Sequence, residues 1–249
     1  MRNIFFLVLM VVYLILLTAT TFVASADSIF NFGANNKVSS GKIIINGKEM
    51  GESSGNFVKG SGRKATESRK IADFQRIKVA GSLDLVYSTG DKALEITGDD
   101  NVIDNIKTKI NKGVLHIFSD KNYSTAIPIT ISVSSPRLEA VMVEGSSDVS
   151  LQGIRSQSFL IKLNGTGDII ATGKVKSLDV DIFGTGGVNT KALSAENVDA
   201  KLNGTGDLLL TALQLLNATV VGTGDIVYFG NPQVVNRNTL GVGAIKSGD

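Results

Sequence analysis

Five aspartates occupy one position of a recurring glycine motif. Asp84, Asp148, Asp168, Asp207 and Asp225 each lie three residues after the first glycine of a GTGD-like turn, and Gly187 takes that place in a sixth copy. If like positions stack as neighbouring strands do, adjacent carboxylates stand ~4.8 Å apart. Their repulsion is then about 0.9 kcal/mol in bulk water, and several-fold more near a low-dielectric surface. Two arrangements offset it. Backbone N–H groups of the glycine corner can cap the carboxylates, as Asp side chains do locally in turns. Alternatively, Asp148, Asp168, Asp207 and Asp225 form a metal column for a divalent cation such as Ca²⁺, which takes several carboxylate and carbonyl oxygens. Capping is the expected arrangement, because the nine-residue calcium repeat GGxGxDxUx is absent and Gly187 breaks the series. Thr166, Thr185, Thr205 and Thr223 stand beside the acidic column as a hydroxyl ladder, expected to be structural rather than a sugar-binding rim.

Other chemistry is poorly supplied. His116 is the only histidine, and there is no cysteine, so Ser-His-Asp and Cys-His catalysis, multi-histidine zinc sites and disulfides are not expected. His116 lies in an apolar run and reads as structural. No GTGD copy is followed by Lys-Ser/Thr or opens a helix, which excludes a phosphate loop and a dinucleotide fingerprint. A net charge of +2, no Trp and four Tyr offer no basic stripe interleaved with stacking rings, so nucleic acid is not an expected partner. No catalytic residue and no cofactor, calcium apart, is assigned.

The glycines also dictate the elements that must carry these side chains. The first glycines, Gly145, Gly165, Gly184, Gly204, Gly222 and Gly241, are separated by 20, 19, 20, 18 and 19 residues, with an outlying copy at Gly81. A fixed period of that length marks a solenoid. Four and two residues before each glycine come Val141 and Val143, Ile161 and Leu163, Val180 and Ile182, Ala200 and Leu202, Ala218 and Val220. Four and six residues after it the apolar face resumes, as at Val149 and Leu151 or Leu208 and Leu210. That period-two alternation predicts strands with one buried face. Small residues at Gly153, Gly173, Ala192, Ala212 and Gly230 predict a second corner. One such unit cannot bury its own apolar face, but a stack of them can. The expected fold is all-β, a right-handed parallel β-helix (β-solenoid) with coils of ~20 residues, the hand following from crossover chirality.

Along the chain, residues 1–26 read as a signal peptide: Arg2, an apolar run from Ile4 to Leu17, and Ala24-Ser25-Ala26 for cleavage. Membrane attachment is expected only if this segment stays uncleaved. Residues 27–70, rich in Ser, Gly, Asn and Lys, read as a flexible linker with one hairpin around Asn46-Gly47. The solenoid domain is expected over 71–249. Between Ile71 and Val143 the repeat blurs, and Val102, Ile103, Ile106 and Ile110 are spaced like a short helix or an irregular cap. Pro232, Arg237 and Lys246 are expected to discourage strand addition at the other end.

The run IADFQRIKVAGSLDLV from Ile71, then IPITISVSSPRLEAVMVEGSSDV from Ile127 and the repeated LNGTGD, resembles the family called putative auto-transporter adhesin, head GIN domain. The resemblance covers roughly Ile71 to Lys246. It implies a β-helix-like fold in bacterial envelope proteins and an extracytoplasmic location, periplasmic, outer-surface or secreted. It supplies no catalytic residues. A C-terminal membrane barrel of alternating strands, as in an autotransporter, is not expected. The functional expectation is a secreted or periplasmic non-catalytic solenoid, an adhesin or cell-envelope scaffold whose partner is a surface, a glycan or a protein. The alternative is a polysaccharide-active enzyme with lyase or hydrolase chemistry, which needs acidic and basic side chains converging on one groove. The outward residues Lys162, Asp181 and Lys201 instead alternate in sign and are expected to form ion-pair rungs. Self-association through the solenoid ends is a third possibility.

Overall fold

A computed structural model describes four strands within residues 30–50 and the chain from Phe57 to Asp249. The signal segment expected over 1–26 lies outside the described residues. The chain divides into two compact units, Met1–Asn56 and Phe57–Asp249. In the first, β1 (Phe30–Asn31), β2 (Lys37–Ser39), β3 (Lys42–Ile45) and β4 (Lys48–Met50) form an antiparallel meander. Ile45 pairs with Lys48, so β3 and β4 are the hairpin arms flanking Asn46-Gly47, the strongest short hairpin signal a sequence offers.

The second unit begins with β5 (Phe57–Lys59), β6 (Lys64–Ser68), β7 (Arg76–Gly81), β8 (Asp84–Thr89) and β9 (Ala93–Asp99). Helix α1 (Asp100–Ile103), β10 (Ile106–Asn111), β11 (Val114–Ser119), β12 (Asn122–Ser124), β13 (Thr130–Ser135) and β14 (Ala140–Ser146) follow. The long strands β15 (Val149–Thr166), β16 (Ile169–Gly184), β17 (Val188–Gly204) and β18 (Leu208–Gly222) each run most of the way round one coil. The last coil holds β19 (Ile226–Phe229), β20 (Val234–Gly241) and β21 (Ile245–Ser247). From β14 onward every pairing is parallel, in the order β14-β15-β16-β17-β18. The chain is a β-solenoid.

Alternation decides what faces inward. Ile77, Val141, Ile161, Val180, Ala200 and Ala218 stand in register and are all buried, as are Val79, Val143, Leu163, Ile182, Leu202 and Val220 two residues on. After the glycine, Leu85, Val149, Ile169, Val188, Leu208, Ile226 and Ile245 form a third inward column. Phe159, Leu178, Val198 and Leu216 form a fourth. Each Val, Leu, Ile or Phe side chain so removed from water contributes about 1.5–3 kcal/mol, and the alanines less.

The two ends are closed differently. At the start, β10 pairs antiparallel with β11, and β6 pairs antiparallel with β9, so these strands cover the edges of the first coil. Lys107 and Lys109 on β10 keep that outer edge charged. At the finish, Arg237 takes the position in register with buried Ala218, and its guanidinium lies 5.1 Å from the Tyr228 ring centre. A cation therefore ends an apolar column.

Three details go beyond the sequence expectations. Residues 64–68 of the expected linker are strand β6, and Ala65 packs on the core, so the compact unit starts at Phe57 rather than Ile71. The helix-like spacing after Asp100 yields only the four-residue α1, and Ile106 and Ile110 belong to β10. The second corner does not stack as a column: Gly173 pairs with Ile154 and Leu193, because the ladders slip between Leu151 and Ile154, Ile170 and Gly173, and Thr190 and Ser194. Bulges absorb coils of unequal length there. Among the described residues no helix is long and apolar enough to cross a membrane.

Candidate functional site

Unlike the second corner, the glycine corner stacks without a register slip. Gly81, Gly145, Gly165, Gly184, Gly204, Gly222 and Gly241 pair in sequence. Gly204 shows why the residue is fixed. Its φ is +146°, a conformation side chains rarely adopt, and a Cβ built there would overlap the carbonyl oxygen of Gly184.

The aspartates sit on the solvent side of this corner and are used as backbone acceptors. Asp148 Oδ1 accepts the N–H of Asp168 at 2.9 Å, Asp168 Oδ1 that of Gly187 at 2.9 Å, and Asp207 Oδ1 that of Asp225 at 3.0 Å. Asp225 Oδ1 accepts from Ala244 at 2.8 Å, and its Oδ2 takes the Lys246 ammonium at 2.7 Å. At Asp84 the same bond, from the N–H of Asp148, lengthens to 3.4 Å. The donor is always the corresponding residue of the next coil, not an amide of the same corner. Each carboxylate thus replaces a carbonyl that the turn has pointed elsewhere, while the following N–H returns to the ladder, as Val149 does to Asp168 O at 2.8 Å. The Lys246 ammonium, then the Ala244 N–H, hold the Asp225 carboxyl below the usual carboxylate range. Among the described residues no three His, Cys, Asp or Glu side chains gather closely enough to hold a metal ion. In the threonine ladder one hydroxyl contact joins coils, Ser146 to Thr166 at 2.8 Å. His116 is half-buried in β11, between Lys109 and Lys78.

The outward column differs from the expected ion-pair rungs. Lys162, Asp181 and Lys201 are in register, yet Lys201 pairs with Asp199 of its own strand at 3.2 Å, and Lys162 lies 5.6 Å from the Phe183 ring centre. Asp179 and Asp199 are in register one column away. Burial, then the charges of Asp199 and Asp181, push the Asp179 carboxyl up. A further column runs Asn164, Phe183, Asn203, Val221 and Leu240, in which Phe183, Val221 and Leu240 expose apolar surface. What these faces offer is an array of contacts in line.

Among the described residues one charged group lies inside. Asp99, with no solvent exposure, accepts from Gly62 N–H at 2.5 Å, Ala126 N–H at 3.1 Å, Ile127 N–H at 3.2 Å and the Thr125 hydroxyl. The Thr125 hydroxyl foremost, with the three amides, holds its carboxyl below the usual range against the opposing effect of burial. It ties together the chain before β6, the end of β9 and the turn before β13. Nothing in the sequence distinguishes Asp99 from its neighbour Asp100, because its partners come from distant turns.

These features define an extended parallel β-solenoid with capped ends and periodic faces. The chain belongs to the family described as putative auto-transporter adhesin, head GIN domain, whose model matches residues 73–232. Its fold is similar to that of crystal structures described as putative adhesins. The Bacteroides fragilis protein is 24% identical with a TM-score of 0.67, over 76% of this chain and 99% of the other. The Parabacteroides merdae protein is 23% identical with a TM-score of 0.55, over 78% and 100%. The Parabacteroides distasonis protein is 24% identical with a TM-score of 0.53, over 77% and 100%. The comparison with curated proteins returns no match.

Proposed function

We propose that this chain is an extracytoplasmic, non-catalytic binding module of the adhesin type, which presents its solenoid faces to an extended partner surface. The observation that carries this reading is the unbroken in-register stack from Gly145 to Gly241, which converts outward side chains into columns, Phe183, Val221 and Leu240 among them. Repetition of one contact along a rigid face suits a polymeric or planar partner better than a small molecule. Membership of an adhesin-named family supports the same reading. The signal peptide expected over residues 1–26 supports the extracytoplasmic part of the reading.

The test has two parts. Fractionation of native cells is expected to find the chain in periplasm, outer surface or medium, and the purified, labelled chain is expected to bind intact cells saturably. Cytoplasmic retention or unsaturable binding overturns the reading. A screen of uronate-containing glycans, followed by ultraviolet absorbance of unsaturated products, is expected to show no turnover. One reproducible turnover overturns the non-catalytic part.

A further inference from the structure

An open groove of about 820 Å³ lies where the second corner slips out of register. Arg137, Arg155 and Lys174 line it, with the polar side chains of Ser156 and Gln157 between them. Its other lining residues, Gly153 and Gly173, carry no side chain to fill it. The recess has a structural cause: the ladder between β15 and β16 shifts between Leu151 and Ile154, and a Cβ on Gly173 would overlap the Ile154 carbonyl oxygen. Bulges of this kind re-aim side chains and recur beside functional sites.

The groove gathers positive charge. Arg155 and Lys174 are directly in register on adjacent parallel strands and both are exposed, so two like charges stand side by side. Neither forms an ion pair among the described residues, and no carboxylate lines the groove. Arg137 is paired only with Glu139, at 2.8 Å. The next positions of the column are Ser194 and Thr211, so the positive charge is confined to this recess. In the acidic column of the glycine corner the aspartates have backbone or lysine partners.

We propose that this groove binds the anionic groups, carboxylate or sulfate, of an acidic polysaccharide. The proposal rests on the binding-module reading above and names its ligand class. An Arg guanidinium takes such a group with two parallel hydrogen bonds, and an adjacent ammonium adds a point charge. Ser156 and Gln157 offer donors and acceptors to sugar hydroxyls. The volume accommodates a few sugar rings. No aromatic ring lines the groove, so neither base stacking nor sugar stacking is available and recognition falls on the charged groups.

The full chain is tested by biolayer interferometry against oligogalacturonate, dextran sulfate, neutral dextran, inorganic sulfate and single-stranded DNA. Oligogalacturonate or dextran sulfate is expected to bind, the stronger of the two identifying the anion, and neutral dextran is expected not to bind. Arg155→Gln and Lys174→Gln are each expected to weaken binding about tenfold or more, given the strength of charge-assisted hydrogen bonds. The double variant is expected to abolish it. Lys109→Gln, on β10, removes the same charge elsewhere and is expected to change affinity less than twofold, with melting curves showing all variants folded. Absence of binding by the unsubstituted chain overturns the proposal. So does equal loss in Lys109→Gln, equal affinity for DNA, or inorganic sulfate binding as tightly as either polymer. If the double variant still binds intact cells while losing the glycan, the groove stands and its role in adhesion falls. If cell binding and glycan binding both survive the double variant, the groove is wrong and the binding-module reading stands.

Discussion

The acidic column makes a prediction in which two near-identical substitutions part company. Asp168 Oδ1 accepts the Gly187 N–H at 2.9 Å, and its own N–H donates to Asp148 Oδ1 at the same distance. Asp168→Asn keeps a carbonyl oxygen where the acceptor stood and removes one negative charge. With Gly187 on its other side, Asp168 has one carboxylate neighbour, Asp148, at the ~4.8 Å inter-strand spacing. Relief of that repulsion is worth at most about 0.9 kcal/mol in water, and salt reduces it. Asp168→Ala removes the acceptor as well. The corner is exposed, so the freed amide recovers water and the loss stays near the low end for a hydrogen bond, about 0.5–1.5 kcal/mol. Thermal melting followed by circular dichroism is therefore expected to place Asn level with or slightly above the unsubstituted chain at low salt. Ala is expected a few degrees below it, at about 2–4 °C per kcal/mol for a unit of this size. High salt is expected to close the gap between Asn and the unsubstituted chain. Two results refute this reasoning: Asn as harmful as Ala, or a melting temperature raised by calcium and lowered by EDTA. Either means that the carboxylates hold a cation rather than amides.

The remaining expectations follow from the same geometry. Gly204→Ala combines a φ of +146° with overlap of the Gly184 carbonyl and is expected to cost at least about 2 kcal/mol, read as a melting temperature lowered by several degrees, whereas exposed Thr205→Ala should stay within about 0.5 kcal/mol. Equal melting of the two variants would sink the stacked-corner account. Acid should destabilise the fold through Asp99 and Asp225. Both carboxyls are depressed in the folded state, so their contribution is present above the unfolded value of about 4 and is lost as pH falls through the folded values. Asp179 is raised and acts in the opposite sense, its contribution being lost as pH rises through its folded value. Asp99→Asn puts an amide where acceptors are needed and should lower the neutral-pH melting temperature while flattening the acid slope; an unchanged slope would remove Asp99 from the account. Arg237→Ile leaves an apolar column open at the last coil, and sedimentation velocity should show larger species than for the unsubstituted chain, with identical profiles counting against edge protection by Arg237.

How much of this was legible in the sequence depends on whether a position is governed by the repeat or by distant partners. The first corner could be read residue by residue, because positive φ and close carbonyl approach leave glycine alone at Gly165, Gly184, Gly204 and Gly222, and alternation around them fixes what faces inward. The aspartates were legible as a column, but their donors were not, since only the stack reveals that the amide belongs to the following coil. The second corner was misread for a physical reason: bulges absorb coils of unequal length, so Gly153 and Gly173 do not pair although both begin their bends. That slip also hid Arg155 and Lys174. Counted from their first glycines they differ by one place, and only the bulge brings them abreast. Strand β6 escaped because Ala65 is its one apolar residue packed on the core, too little for a pattern. Asp99 escaped because a buried carboxylate is recognised by its donors, and these come from two turns distant in sequence, Gly62 and Thr125–Ile127. Regularity is what makes a solenoid readable, and what adapts this one to a partner is therefore best sought where the regularity fails, at the bulged corner with its unmatched positive charge.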